Sequence, residues 1–141
     1  MDERRILLVA NQTAGGDHLL HEVRRKMSAG PCSFTLLVPA SAPDKHTTYT
    51  EGEAIALAER RLHTALTKLR AAGAEVEGVI GDEDPYTAIG DVLLETPHDE
   101  IILSTLPPGI SRWLKADLPH RVARRYNLPV TTITATPRVH A

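Results

Sequence analysis

Apolar residues recur along the chain in two different patterns. Short unbroken apolar runs, such as residues 4–10, are typical of strands buried on both faces of a sheet. Longer stretches carry apolar residues three or four positions apart, as residues 51–72 do before Gly73, and are typical of amphipathic helices. The predicted strands are residues 4–10, 32–39, 75–80, 101–103 and 130–136, and the predicted helices are residues 17–27, 51–72, 85–95 and 111–126.

The alternation of strands and helices indicates the fold class. Parallel strands joined by right-handed helical crossovers place helices on both faces of one sheet. With 141 residues, 42% of them hydrophobic and 24% charged, the chain has the length and composition of one globular domain. We therefore expect a single doubly wound α/β domain over residues 1–141. The predicted core residues are Leu7, Val9, Leu36, Val38, Ile55, Leu62, Leu66, Val79, Ile89, Ile101, Ile102 and Ile133.

Charge and targeting signals narrow the possible partners. The 16 Lys and Arg residues against 18 Asp and Glu residues leave a net charge of −2, so the molecule as a whole does not attract nucleic acid or an anionic membrane. The apolar run at residues 6–10 is too short for a signal peptide or a membrane span. Cys32 is the only cysteine and cannot form an internal disulfide. We expect a cytoplasmic protein with no nucleic acid partner and no membrane insertion.

Two loops of the predicted sheet are candidates for a ligand site. In open α/β sheets, ligands bind at the carboxyl ends of the strands, where the strand order reverses. Residues 11–16 follow the first strand and residues 104–112 follow the fourth. In the second loop, Gly109 and Ser111 precede a predicted helix whose first backbone amides could face an anion. The alternative is a merely rigid turn built on prolines, since neither GxGxxG nor a P-loop pattern occurs.

Three local strings carry a resemblance to a known family. They are ILLVANQT at residues 6–13, Gly81-Asp82 followed by Pro85 and Ile89, and Leu128-Pro129-Val130. Together with the order of elements they resemble the universal stress protein family, a group of small doubly wound α/β proteins, over essentially the whole chain. The resemblance implies a five-stranded parallel sheet in the order 3-2-1-4-5 with two helices on each face. The last strand, from Val130 to Thr136, would then be an edge, and we expect it to pair with a second copy in a homodimer.

The family's nucleotide loop is altered in this chain. In the family it reads Gly, two residues, Gly, nine residues, Gly, and then Ser or Thr. Counting back without a gap from Pro129-Val130, these positions fall on Leu103, Leu106, Ala116 and Asp117. The glycines let the backbone approach ATP phosphates, and Pro107 and Pro108 also lack amide donors here. We therefore expect ATP to bind weakly, if at all, and assign no cofactor.

A phosphorylated small molecule remains the candidate ligand. Small polar residues in both loops are followed by Arg112 and Lys115, which are suited to phosphate. Alternatively, the basic residues form the solvated face of a helix whose other side buries Trp113. The predicted ligand-binding residues are Asn11, Gln12, Thr13, Val38, Ser104, Thr105, Gly109, Ser111 and Arg112.

Other polar groups do not indicate metal binding or catalysis. His18 and His21 share one face of a predicted helix, but without HExxH or a cysteine pair we interpret them as surface residues. Cys32 and His46 could form a nucleophile and base, yet Cys32 begins a predicted buried strand, where a thiol usually serves packing. We predict no metal site and no catalytic residue.

The sequence therefore favours a non-enzymatic binding or regulatory protein of the stress response, with a degenerate nucleotide loop. One alternative is a protein of the same superfamily that either binds or hydrolyses ATP or another phosphorylated metabolite. A hydrolase is disfavoured because neither loop shows a nucleophile with a base. A third interpretation is a regulatory module that docks on a transporter or another protein, since domains related to the resembled family occur joined to membrane transporters.

Overall fold

The computed structural model describes residues 3–41 and 50–135. Its strands and helices follow the predicted order, with shifts of a few residues at their ends. The strands are β1 (Arg4–Val9), β2 (Cys32–Pro39), β3 (Val76–Gly81), β4 (Glu100–Thr105) and β5 (Val130–Thr134). The helices are α1 (Asp17–Ala29), α2 (Glu51–Ala71), α3 (Pro85–Glu95), α4 (Arg112–Lys115) and α5 (Leu118–Tyr126). Thr136, the predicted end of the last strand, and His46 lie outside the described residues.

All five strands are parallel and lie in the order β3-β2-β1-β4-β5, which confirms the predicted topology. In the middle of the sheet, Leu8 of β1 pairs with Leu36 of β2 on one side and with Ile102 of β4 on the other. The chain thus leaves β1 in one direction and later returns to its other side. This reversal opens a crevice at the carboxyl ends of β1 and β4.

Each face of the sheet buries its own apolar layer, because successive strand residues point to opposite faces. Leu8 and Leu36 pack on one face with Leu19 of α1 and Leu69 of α2. The other face joins side chains from all three central strands to helices α3 and α5, through Leu7, Val9, Leu37, Ile101, Leu103, Ile89, Leu118 and Val122. Two long helices therefore cover each face, as predicted.

The core prediction is wrong at one position. Val79 lies on the edge strand β3 and is 36% exposed, whereas its neighbour Gly78 faces α2. A Cβ atom at Gly78 would meet methyl groups of Leu62 and Leu66 at 2.8 Å, so this helix lies close to the strand at the glycine. Strand alternation then turns Val79 to the opposite face, near the sheet's edge. Among the other predicted core residues, Ile55, Leu62, Leu66 and Ile133 are only half-buried.

The predicted helix over residues 111–126 is divided into α4 and α5. Asp117 lies between them with a φ of 56°, in the left-handed region. Pro119 explains the division, because in one continuous helix it would interrupt the hydrogen-bond ladder, whereas in the first turn of a new helix it is tolerated. Within the described part of the chain, no helix is both long enough and apolar enough to cross a membrane.

Candidate ligand-binding site

A cavity of about 340 Å³ lies in the crevice at the carboxyl ends of β1 and β4. The loop after β1 forms one wall, and the loop from β4 to α4 forms the other. The structure brings eight of the nine predicted ligand-binding residues to this cavity: Asn11, Gln12, Thr13, Ser104, Thr105, Gly109, Ser111 and Arg112.

Val38 is the exception, because it does not line the cavity. Its side chain is fully buried in the layer beneath α1 and α2, packed with Leu8 and Leu36. The prediction of Val38 as a core residue is therefore confirmed, and its assignment to the ligand site stays a prediction. Residues missing from the predicted set also line the wall, namely Ser41, Leu106, Ile110, Trp113 and Lys115.

The loop between β4 and α4 is shaped by its own sequence. The backbone amides of Ile110 and Ser111 both donate to the carbonyl oxygen of Pro107 at 3.0 Å, which closes a tight turn. Ser111 then caps α4, with its Oγ accepting from the backbone N of Leu114 at 3.2 Å. The proposed rigid turn and the proposed ligand wall are thus the same segment.

Buried hydroxyl groups are the main polar feature of the cavity wall. Thr13, Ser104, Thr105 and Ser111 are all at least nine-tenths buried. Thr105 Oγ1 is the one buried side-chain oxygen or nitrogen in the described residues that has no hydrogen-bond partner. Buried polar groups are nearly always paired, and an unpaired one is costly. Thr105 lines the cavity, although its unpaired Oγ1 is itself buried from solvent.

The charged residues in the described part of the cavity wall are both cations. Arg112 and Lys115 line it, and none of its described lining residues is a carboxylate. A cavity with cationic side chains and no acid concentrates anions.

Only part of the altered nucleotide loop borders the cavity. Leu106 lines the wall, but Leu103 is fully buried in the apolar layer under α3 and α5. Ala116 and Asp117 follow α4 and are not among the lining residues. The gap-free count from Pro129-Val130 therefore does not place its four positions around this cavity, and the steric block expected at Leu103 and Ala116 is not at the wall.

At the β1 end, the side chain of Asn11 is held by two protein groups. Its Nδ2 donates to the carbonyl oxygen of Pro39 at 3.1 Å, and its Oδ1 accepts from Arg61 of α2. These two bonds fix the orientation of the amide. Asn11 therefore links β1, β2 and α2 at the mouth of the crevice.

His18 is not the exposed surface residue that the sequence predicts. Its ring is half-buried, with Nε2 only 2.7 Å from Ser104 Oγ. Burial lowers the pKa of His18 below its ordinary 6.5, and Lys68 and His21 lower it further, while Asp17 acts in the opposite direction. No local pattern could reveal this pair, because 86 positions separate the two residues.

The other rejected groups offer no metal or thiolate chemistry in the described residues. No three His, Cys, Asp or Glu side chains of that part of the chain are placed to hold a metal ion. Burial raises the pKa of Cys32, and nearby Glu3 and Glu100 raise it further. Its thiol is therefore protonated and poorly nucleophilic.

Comparisons with known proteins agree with this architecture. No family model and no curated protein matches the sequence. The universal stress protein from Archaeoglobus fulgidus has 19% identity and a TM-score of 0.64, covering 95% of this chain and 96% of that one. A structure of the Archaeoglobus fulgidus protein in complex with dAMP gives 18% identity and 0.64, covering 94% and 98%. A universal stress protein in complex with cAMP gives 20% and 0.56, covering 94% and 98%. Over nearly its whole length, this chain has the fold of the universal stress proteins.

Proposed function

We propose that this is a universal stress protein-like binding protein whose cavity takes a small phosphorylated ligand. The observation that carries the proposal is the composition of the cavity wall. It combines the buried hydroxyls of Thr105 and Ser111 with the cations of Arg112 and Lys115, and its described residues include no carboxylate. Such a wall donates hydrogen bonds and attracts negative charge.

Phosphate chemistry fits these groups. Phosphate oxygens are strong acceptors, and a guanidinium can bond two of them at once. A phosphate toward which the Thr105 side chain turned would also satisfy this buried hydroxyl, which has no partner in the described residues. The cavity of about 340 Å³ is near the lower end of the range of roughly 300 to 1,000 Å³ for small-molecule sites. A nucleoside monophosphate is thus a more suitable size than a triphosphate, and the complexes of fold neighbours with dAMP and cAMP support that class.

ATP should bind more weakly than AMP. Pro107 and Pro108 supply no backbone N–H for additional phosphates, and Leu106 occupies part of the wall. A charge-assisted hydrogen bond contributes about 1.5 to 3 kcal/mol, and every 1.4 kcal/mol or so changes a dissociation constant tenfold. If the outer phosphates of ATP lack even one such hydrogen bond, the lost affinity cancels what their additional charge contributes relative to AMP.

Calorimetric titration with AMP, with ATP and magnesium, and with adenosine tests the proposal. We expect AMP to bind most tightly and adenosine to bind poorly. Arg112→Ala should weaken AMP binding about tenfold or more. Arg124→Ala is the matched control, because Arg124 is exposed on α5 and does not line the cavity. A tight ATP complex that depends on Arg112, or equal binding of AMP and adenosine, would contradict this assignment. Mass spectrometry of molecules released from the purified protein identifies the natural ligand.

We propose a regulatory role for this binding, without catalysis. Ser104 and His18 are at the distance of a nucleophile and its base. The Oγ of Ser104 already bonds both His18 and Thr13, however, which disfavours its use as a nucleophile. AMP and ATP should be recovered unhydrolysed after prolonged incubation. Hydrolysis that Ser104→Ala abolishes would instead establish the enzymatic alternative.

A further inference from the structure

Three polar side chains form a continuous hydrogen-bonded chain beneath the cavity. His18 Nε2 lies 2.7 Å from Ser104 Oγ, and Ser104 Oγ lies 2.6 Å from Thr13 Oγ1. Thr13 Oγ1 also lies 3.1 Å from the carbonyl oxygen of Ser104. Thr13 and Ser104 line the cavity, whereas His18, in the first turn of α1, does not. These hydrogen bonds therefore connect the imidazole of His18, outside the cavity, to the hydroxyl of Thr13 on the cavity wall.

The protons that join His18, Ser104 and Thr13 can be arranged in two ways, because each hydroxyl carries a single proton to donate. When Nε2 is protonated, it donates to Ser104 Oγ, which in turn donates to Thr13 Oγ1. The proton of Thr13 is then available to the Ser104 carbonyl or to a ligand. When Nε2 is not protonated, Ser104 donates to His18, and Thr13 must donate to Ser104. The hydroxyl of Thr13 then presents only lone pairs to the cavity.

We propose that His18 is a positioning residue for the anion site, because a proton on its Nε2 turns the Thr13 hydroxyl into a donor toward the ligand. This inference rests on the proposed function of the cavity. An anion needs donors, so it selects the arrangement with protonated Nε2. By linkage, an anion in the cavity and a proton on His18 favour each other to the same extent.

The surroundings of His18 suit this role. Its ring packs against Gly16, where a Cβ atom would lie 2.6 Å from ring atoms, so a small residue is needed there. Asp17 and His21 face it from its own helix, and Lys68 faces it from α2, where Lys68 also bonds Asp17 Oδ1 at 2.6 Å. Burial and the two neighbouring bases keep the free imidazole mainly neutral at neutral pH. The ring can therefore gain a proton when an anion binds.

Sulfate is a suitable probe, because its charge does not change over the range in which an imidazole titrates. Its affinity should be measured by calorimetry from about pH 5 to about pH 8, in parallel with NMR titration of the His18 ring nitrogens. We expect sulfate affinity to rise up to about tenfold as the pH falls, with the pKa of His18 raised by about one unit in saturating sulfate. At neutral pH, sulfate should shift the His18 signal toward the form protonated at Nε2.

Three variants separate positioning from a structural role. His18→Gln keeps a donor for Ser104 at every pH, so it should retain binding but lose the pH dependence. His18→Leu removes the acceptor as well as the donor, so Ser104 can still donate to Thr13, and this variant should also bind sulfate without pH dependence. His63→Gln is the matched control, because His63 is exposed on α2 and is not among the groups that act on the His18 ring, and it should behave like the wild type. If His18→Leu does not fold, the pH profiles of the wild type and His18→Gln decide the question.

The possible failures are distinguishable. If sulfate binds and depends on Arg112, but neither its pH profile nor the His18 tautomer responds as expected, the positioning role is wrong and the anion site stands. If neither sulfate nor AMP binds the wild-type protein, the proposed function is wrong, and this inference fails with it.

Discussion

Single buried polar groups near the sheet have opposite consequences for stability. The hydroxyl of Thr105 has no partner in the described residues, so its burial is unfavourable in the unliganded protein. Thr35, on β2, has a half-buried hydroxyl that lies 3.0 Å from Nε2 of His98. Substituting either threonine by valine removes a hydroxyl at nearly constant side-chain volume. Comparing the two variants therefore measures how much a hydrogen-bond partner contributes to the free energy of unfolding.

Thr105→Val should separate stability from binding. Its free energy of unfolding should be unchanged or higher by about 1 kcal/mol, because a buried unpaired hydroxyl is removed. AMP affinity should fall severalfold, because the wall loses a donor to phosphate. Urea denaturation and calorimetry measure the two effects. In Thr35→Val the free energy of unfolding should instead fall by about 1 kcal/mol, with AMP binding unchanged. A large loss of stability in Thr105→Val would show that its hydroxyl is satisfied in the native protein.

Glu100 at the amino end of β4 is held by two cations. Its side chain is 3% exposed, accepts from Arg4 Nε at 2.7 Å and lies 2.9 Å from Lys26 Nζ. Burial alone would raise the pKa of Glu100, but the two bonds outweigh it and hold the pKa below the ordinary 4.5. Because the folded-state pKa is depressed, the carboxylate stabilises the protein fully above about pH 4.5 and loses this effect as the pH falls through the folded-state value.

Glu100→Gln should lower the free energy of unfolding at neutral pH by about 1 to 3 kcal/mol. The difference from the wild type should shrink as the pH falls below about 4.5. Urea denaturation at several pH values measures both. Asp17→Asn is the control, because the side chain of Asp17, which pairs with Lys68 at 2.6 Å, is 68% exposed, and the loss should stay below about 1 kcal/mol. Equal losses in the two variants would contradict the role assigned to burial.

Among the helices, the division between α4 and α5 shows how two residues split one amphipathic segment into two helices with different directions. Asp117 supplies the left-handed conformation and Pro119 starts the second helix. The apolar spacing continues across the break, with Trp113 before it and Leu118 and Val122 after it, so periodicity alone predicts one helix. The break is what directs α4 toward the cavity while α5 covers the sheet.

Asp117→Val should lower the free energy of unfolding by about 1 to 2 kcal/mol, because a β-branched residue is strained in the left-handed region. Asp117→Gly should stay close to the wild type. Thermal or urea unfolding tests both variants. Asp91→Val is the matched control, since Asp91 is exposed within α3. Aspartate and valine have similar helix propensities, so this change should cost little. If Asp91→Val is as harmful as Asp117→Val, strain at the break is not the cause.

For the molecule as a whole, β5 is an edge strand of the sheet, and among residues 3–41 and 50–135 no further strand pairs with its outer side. Pro129 O accepts from Ile101 N, and Ala135 N donates to Thr105 O, both at 2.9 Å. In a parallel ladder, the alternate residues then face outward, so the N–H of Thr132 points away from β4. An unpaired edge of this kind is a template for another strand, and we propose a homodimer paired through it.

Light scattering at micromolar concentration should report about twice the 15.4 kDa of one chain. Thr132→Pro should shift the protein toward the monomer, because proline removes an outward N–H without removing a bond to β4. Ile133→Lys is a poorer test, since Ile133 packs on the core beneath α1 and α2. Val79→Lys, on the opposite edge strand, should leave the dimer intact. A wild-type monomer over the whole concentration range would contradict the pairing.

The order of elements and most of the core could be predicted from local patterns. An apolar run such as Ile6 to Ala10 is buried on both faces wherever it lies, and the stripe along α2 determines which side of that helix faces inward. The polar loops at the carboxyl ends of β1 and β4 were predictable for the same reason, because a parallel sheet places those ends at one edge.

The contacts that give the site its chemistry depend on how the segments meet. His18, Ser104 and Thr13 come from three parts of the chain and approach within hydrogen-bond distance through the pairing of β1 with β4. The same pairing brings Arg4 to Glu100. The spacing of apolar residues indicates which face of a helix or strand is buried. It does not indicate which polar atom from a distant part of the chain lies within hydrogen-bond distance of a given side chain. That is set only when the helices pack and the strands take their register, because hydrogen bonds require a match within a few tenths of an ångström.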